Sequence, residues 1–408
     1  MKRNTAIFGT GEAGRNIFYK LRGKENIVCW YDHENFNDKL YHLDIKKYEM
    51  KNDDEKIIVA DSNWLDICTD LKNRGLEIID DYIPYWLYNK KMIPWRNFLS
   101  MDAASIERCL LYLKKTRGIA IIYGNCQTEI IQRYFAESQE FISKYIIINI
   151  PRVCQEDHAV WKDMIESKIF SFCDLFIYQI VLENNRFGSI RSTSNILKLL
   201  QKDCIKASIP NIYFDGYFPQ IEKNPYNILE DVQEDGLFKW GDKFVNKLLL
   251  AGADENHIIG KILDEDFLSD EEVQRCVKAS FENLQKREER TDIKISDYVK
   301  KHYKERQLFF APNHPNNELL LECSVRVLSF LGMARDIKTE PVDSFVSLMG
   351  EDIVLYPSVA KRLGLKHYYK SFFPNRYIEH LAYSAADYYK LYCESIGYAL
   401  WNEKNKTT

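Results

Sequence analysis

The stretch that most constrains the fold is Ile119-Ala120-Ile121-Ile122-Tyr123-Gly124-Asn125-Cys126-Gln127. An apolar run ends in glycine, and a helical pattern opens at once with Thr128-Glu129-Ile130-Ile131-Gln132-Arg133-Tyr134-Phe135. A short apolar run bounded by glycine is the pattern of a strand buried in a parallel sheet. Asn125 suits a helix N-cap, and Ile130, Ile131, Tyr134 and Phe135 give the helix one apolar face. Cys126 is thereby placed where a strand's C-terminal end turns into a helix, the edge at which open α/β sheets bind ligands. A helix N-terminus there favours a thiolate. An isolated cysteine is more often a small buried hydrophobe, so the reading needs support elsewhere in the chain.

The N-terminus repeats the pattern. Thr5-Ala6-Ile7-Phe8-Gly9-Thr10-Gly11-Glu12-Ala13-Gly14-Arg15 reads as strand, glycine turn and helix start, with Gly9, Gly11 and Gly14 matching Gly-x-Gly-x-x-Gly. A second strand, 27–31, ends on Asp32, where a ribose-binding acid belongs. Strands at 56–60 and 76–80 complete a small Rossmann-like unit. Its physical use is close backbone approach to a phosphate lying on a helix N-terminus; the competing use is strand–helix packing alone. The unit is short for a dinucleotide domain, and no Tyr-x-x-x-Lys follows, which argues against hydride transfer. Its ligand is expected to be a nucleotide or nucleotide-sugar.

Residues 81–117 read as a connector with a helix over 104–115. Strands at 145–150, 174–178 and 209–214 alternate with helices at 157–168 and 193–200, which argues a second doubly wound parallel sheet. The order is reminiscent of SGNH-type esterases, as fold-level analogy. Residues 222–300 read as a helical insertion, with helices near 239–250 and 271–285. A short strand at 308–311 leads to Asn313-His314-Pro315, and Asn316 can cap the next helix. The remainder is aromatic-rich and helical, with one long helix over 377–401 whose tyrosines suggest packing or self-association. The expected class is α/β: a Rossmann-like domain (1–95), a helical connector (96–117), an α/β catalytic domain (118–335) and a helical C-terminal region (336–408).

With 408 residues, 46% hydrophobic and 28% charged, the chain can bury an ordinary core in two or three domains. A net charge of −4 does not point to nucleic acid. Ten cysteines sit singly, none in Cys-x-x-Cys spacing, so no thiolate zinc site is expected and a reducing compartment is. Neither a signal-peptide core nor a membrane-length apolar run occurs, so the expected location is cytoplasmic.

Four blocks carry a resemblance: Gly124-Asn125-Cys126-Gln127, Asp174-Leu175-Phe176-Ile177-Tyr178-Gln179, the run from Pro210 to Pro219, and Asn313-His314-Pro315-Asn316 before an apolar helix. In that order they resemble the WcbI family of polysaccharide-biosynthesis enzymes, over about 118–331. The resemblance implies coenzyme A binding and transfer of acetyl from acetyl-CoA to a sugar or glycan-precursor hydroxyl in capsule or exopolysaccharide synthesis. His314 is then the candidate base. Cys126 either carries the acetyl group as a thioester, or lends its backbone N–H, with Asn125 or Gln127, to an oxyanion hole. Gly124, Gln179 and Asn313 are placed around the same site. An acid orienting His314 is sought in Asp215 first, then Asp174 and Asp157. Arg152, Arg186 and Arg191 are candidates for coenzyme A phosphates. Two alternatives remain open: an acyl esterase with the same groups, and a non-catalytic nucleotide-sensing subunit of an assembly complex.

Overall fold

Two mainly parallel sheets arise from the two strand–turn–helix patterns. The computed structural model describes residues 4–34, 37–49, 55–89, 91–99, 101–155, 158–224, 237–337, 352–367, 372 and 381–406. The first sheet contains β1 (Asn4–Phe8), β2 (Asn26–Tyr31), β3 (Lys39–Leu40), β4 (Leu43–Lys46), β5 (Glu55–Val59) and β6 (Tyr82–Pro84), in the order β3-β4-β2-β1-β5-β6. β1 pairs in parallel with β2 and β5, and β3–β4 is an antiparallel hairpin. Alternate residues of β1 feed opposite faces: Ile7 packs with Ile17 and Leu21 of α1 (Glu12–Leu21), while Ala6 and Phe8 join Ile67 and Leu71 of α2 (Trp64–Asn73). Such alternation is what a strand covered on both sides requires.

The expected strand at 76–80 is not formed. Ile79 sits at φ +76 and its N–H closes onto the Tyr82 carbonyl at 2.7 Å, so this run turns the chain and the strand comes later, at β6.

The second sheet has the order β11-β10-β8-β9-β7, built from β7 (Met92–Pro94), β8 (Gly118–Tyr123), β9 (Tyr145–Asn149), β10 (Leu175–Gln179) and β11 (Ile205–Ile209). β8 pairs in parallel with β9 on one side and β10 on the other, which makes its C-terminal end the topological switch point. The helices between are α3 (Ala103–Lys114), α4 (Cys126–Glu137), α5 (Gln139–Lys144), α6 (His158–Glu166) and α7 (Thr193–Leu197). β7 lies in the stretch read as a connector. The strand expected at 209–214 ends where that reading begins it, because Pro210 has no N–H to continue a ladder.

By packing, the chain forms two compact units: Met1–Asn125 with Phe135–Lys206, and Cys126–Tyr134 with Ala207–Thr408. In the first, one apolar core joins both sheets, running from Ile57 and Ile83 through Trp86, Trp95 and Phe98 to Ile121 and Phe176. Residue 95, the boundary read from sequence, lies inside that core.

The second unit carries an antiparallel pair, β12 (Ile221–Lys223) and β13 (Trp240–Asp242), then α8 (Lys243–Leu250), α9 (Glu255–Ile262), α10 (Asp270–Glu288) and α11 (Ser296–His302). A second pair, β14 (Phe309–Ala311) and β15 (His314–Pro315), precedes α12 (Asn317–Phe330), α13 (Pro357–Leu363) and α14 (Ala385–Lys406). The long C-terminal helix thus starts later than expected; 377–380 lie outside the described residues. Its Tyr389 and Tyr392 are buried and serve packing around Asp242.

Asp242 caps α8 through the N–H groups of Phe244 and Val245, while Tyr356 (2.6 Å) and Tyr389 (2.8 Å) donate to its other oxygen. Burial outweighs these donors and pushes the carboxyl up to about 6 from its ordinary 3.8. An acid raised on folding stabilises the fold below its unfolded value and loses that contribution as pH climbs through the folded one. We expect Asp242 to contribute ~1 kcal/mol more stability at pH 5 than at pH 7.5. Urea unfolding of the chain and of Asp242→Asn at both pH values checks this; the wild-type advantage should shrink at the higher pH, and an unchanged or growing advantage refutes it.

Candidate active site

In the first unit, the turn after β8 is held from both neighbouring strands. The Tyr123 hydroxyl donates to the Arg191 carbonyl, and its ring stands edge-on to Trp161 at 6.0 Å. The Gly124 carbonyl accepts from Val153 N–H (2.9 Å), on the β9 side. Asn125 N–H donates to Gln179 Oε1 (2.9 Å), and Gln179 is the buried last residue of β10. The switch-point crevice is therefore rigid on the side that leads into Cys126.

The arginines divide. Arg191 is buried, and its Nη1 donates to the carbonyls of Val153 (2.7 Å) and Gln155 (3.2 Å) while the guanidinium lies 5.2 Å over Trp161. It holds the 153–155 loop and does not line an entrance, which corrects the expectation for it. Arg152, half-buried, adjoins that loop, and Arg186 is exposed with its guanidinium 4.8 Å over Phe187.

Asp174 is also reassigned. Its carboxylate accepts from Lys114 (2.7 Å), Gln201 (2.9 Å) and Ile119 N–H (2.8 Å), tying the entry ends of β8 and β10. It precedes Gln179 by five residues of extended chain, roughly 17 Å from the switch point, too far to orient a base there.

In the second unit, Cys126 opens α4 and is half-buried. The next residue organises the site. Gln127, fully buried, donates from Nε2 to the carbonyls of Ile212 (2.7 Å) and Asn313 (2.8 Å), and its Oε1 accepts from Ile212 N–H (3.1 Å). Both amide hydrogens are committed, so the Gln127 side chain is no oxyanion donor: it is a brace. Seven residues on, on the same helix face, the Tyr134 hydroxyl donates to the Asn317 carbonyl (3.0 Å). Together they fasten the 313–317 segment to α4. Cys126 and His314 consequently flank a directly bonded pair, Gln127 and Asn313.

His314 is buried and paired with Ala311 across the β14–β15 turn. Asn316 caps α12, accepting from Leu319 N–H (2.9 Å), as its residue type predicts. Beside His314, the buried Asn313 Oδ1 has no hydrogen-bond partner among the described residues.

Asp215 does not complete a triad in this structure. Its N–H and that of Gly216 donate to Ser280 Oγ (2.9 and 3.2 Å), docking the loop on α10. Its carboxylate is felt electrostatically by Tyr213, Cys276 and Arg287, and forms no hydrogen bond to His314 among the described residues. Asp157 lies outside the described residues. Among those described, no group of three or more His, Cys, Asp or Glu could hold a metal ion, and no helix is long and apolar enough to cross a membrane.

At the N-terminal glycine turn, Gly9 adopts φ +105, and a Cβ on Gly14 would stand 1.9 Å from the Gly9 carbonyl oxygen. Both glycines serve close strand–helix approach, whereas a Cβ on Gly11 would meet nothing within 4 Å. Asp32 is not a free ribose acceptor. Its Oδ2 takes the Thr10 hydroxyl (2.6 Å) and N–H (3.1 Å), and its Oδ1 takes Glu34 N–H (2.9 Å), so the acid pins the glycine turn.

The family model for "Polysaccharide biosynthesis enzyme WcbI" matches residues 119–336, more than half of the chain. The chain belongs to the WcbI family. The match begins in β8 and ends past α12, so Cys126, Gln127, Gln179, Asp215, Asn313 and His314 all fall within the WcbI region, and the first sheet outside it. A solved structure described as native WcbI, "a novel polysaccharide biosynthesis enzyme", without a disulfide between coenzyme A and one of its cysteines, aligns with TM-score 0.57 and 17% identity. The alignment covers 69% of this chain and 90% of that one, a likeness of fold. No curated protein matches the chain significantly.

Proposed function

We propose that this WcbI-family protein transfers an acetyl group from acetyl-coenzyme A to a hydroxyl of a sugar or glycan precursor in capsular or exopolysaccharide synthesis. The observation that carries the reading is the Gln127 brace, which holds a cysteine at a helix start and a buried histidine on either side of one hydrogen-bonded pair. The description of the solved WcbI, which speaks of a cysteine and coenzyme A, supports the same pairing of chemistry.

In this reading the thioester carbonyl lies over the first turn of α4, and His314 accepts the proton of the sugar hydroxyl. Either the hydroxyl attacks the thioester directly, or the Cys126 thiolate attacks first, coenzyme A leaves as its thiol, and the hydroxyl then displaces Cys126 from the acetyl group. Both routes form one ester and release one thiol. Cys126 N–H and Asn125 face the developing oxyanion, and the Asn313 side-chain oxygen accepts from a substrate hydroxyl. Residues 118–335 form the catalytic part, and 1–95 hold the nucleotide part of an activated sugar at Gly11, with Asp32 acting through Thr10; 96–117 and 336–408 are supporting segments.

Incubation of the purified protein with acetyl-coenzyme A, followed by peptide mass spectrometry, tests this. Acetyl found on Cys126 and absent in Cys126→Ala supports the two-step route, and coenzyme A binding without acetylation leaves direct transfer. A protein that neither binds coenzyme A nor becomes acetylated refutes the proposal, and ester hydrolysis by that protein would make it an esterase.

A further inference from the structure

A groove between α10 and α11 is lined by residues other than Cys126 and His314, four of them lysines. α10 starts on a full capping box, Ser269 with Glu272, and buries Val273, Val277, Ser280 and Leu284. Lys278 and Phe281 border its inward face, and across from them stand Lys300 and Lys301 near the end of α11, followed by Tyr303 and Lys304. The groove is open to solvent and offers about 410 Å³, within the range of small-ligand sites.

The Phe281 and Tyr303 rings, 5.3 Å apart and nearly perpendicular, form a half-buried aromatic floor. Four lysines surround it, and the lone acid of the lining, Glu305, is already paired with Lys366 at 2.8 Å. Lys300 and Lys301 have no ion pair among the described residues, and Lys278 reaches Glu282 only at 3.9 Å, both exposed. Nearby Arg306 and Arg326, by contrast, are engaged with Glu318, Asp297 and Glu322. In a chain of net charge −4, this is a local excess of cation beside aromatic rings, with Lys304 Nζ 5.7 Å over the Tyr303 ring.

We propose that the groove binds an anionic glycan, a sugar chain or precursor bearing carboxylate or phosphate groups. The pyranose C–H faces lie on Phe281 and Tyr303, and the lysines meet the anions. The overall negative charge disfavours a nucleic acid, and the narrow aromatic floor suits a sugar ring better than a flat lipid surface. The groove also connects to the site. The Phe214 ring lies 5.0 Å from Phe281 and 6.1 Å from Tyr303, and Phe214 N–H donates to the carbonyl of Pro312 (2.7 Å), two residues before His314. As the acceptor's anchor, the groove rests on the acetyl-transfer reading; as a glycan site it does not.

Calorimetric titration of the full chain with a hexameric oligogalacturonate and a phosphorylated mannan fragment, against neutral maltohexaose, tests the proposal. At least one acidic glycan should bind about tenfold more tightly than maltohexaose, and the double change Lys300→Gln with Lys301→Gln should weaken it about tenfold. Phe281→Ala should weaken acidic and neutral chains alike, and coenzyme A titrated into each variant should keep its wild-type affinity, reporting an intact fold. Failure of both acidic glycans to bind, binding equal to that of maltohexaose, or indifference to the lysine changes overturns the proposal. So does tighter binding of a single-stranded oligodeoxynucleotide or of anionic phospholipid vesicles. Acidic-glycan binding by a chain that takes no coenzyme A would keep the groove and remove the acetyl-transfer reading.

Discussion

If the chain transfers acetyl as proposed, His314→Gln should lower the rate by about three orders of magnitude, within the span usual for loss of a positioned base, and should change coenzyme A affinity by no more than about twofold. Glutamine keeps much of the imidazole's volume and a hydrogen-bonding amide, and the backbone pairing with Ala311 does not depend on the side chain. What it removes is a group able to take the sugar proton. Single-turnover rates, with coenzyme A affinity measured separately, check this. A loss under tenfold would mean that another group is the base. A loss confined to coenzyme A affinity would make His314 a binding residue.

Gln127→Ala should destabilise the second unit by ~3–5 kcal/mol, because each buried backbone group left without a partner costs about 1–3 kcal/mol. The Ile212 N–H and the carbonyls of Ile212 and Asn313 all lose the partner that the amide supplies. Gln127→Glu is the sharper variant: it can still accept from Ile212 N–H when ionised, yet it presents an acceptor where two carbonyls need donors. Both variants should lose transfer activity beyond their loss of stability, since the brace sets where His314 stands relative to Cys126. Urea unfolding followed by the buried tyrosines, together with activity measured well below the unfolding midpoint, separates the two effects. Stability within about 1 kcal/mol of the parent would refute the brace.

The two strand–turn–helix patterns were legible because a doubly covered strand must be apolar throughout and must end on a residue that releases the chain. That argument placed β1, β8 and the Cys126 turn. It failed at 209–214, where Ile212 finds its pairing in the Gln127 side chain instead of a neighbouring strand. An apolar run satisfied by a distant amide reads the same as one satisfied by a ladder. It failed again at 76–80, where Ile79 takes a positive φ that a β-branched residue rarely adopts.

The polar residues teach a related lesson. Asp32, Asp174, Arg191 and Gln127 carry the chemistry of binding groups, but Thr10, Lys114, the 153–155 carbonyls and Asn313 hold them. Residue type announces what a side chain can do; only the fold reveals which neighbour has already engaged it. Gln127 and Tyr134 could have been noticed as a polar pair at seven-residue spacing on an otherwise apolar helix face, though nothing in the sequence names their partners.

Residues 126–134 belong by packing to the second unit, yet they are encoded in the middle of the first. A fragment beginning at Ala207 would lack Cys126, Gln127 and Tyr134, and with them both fasteners of the 313–317 segment. The two units therefore cannot be traded between genes by a single crossover, nor separated by cutting the chain once.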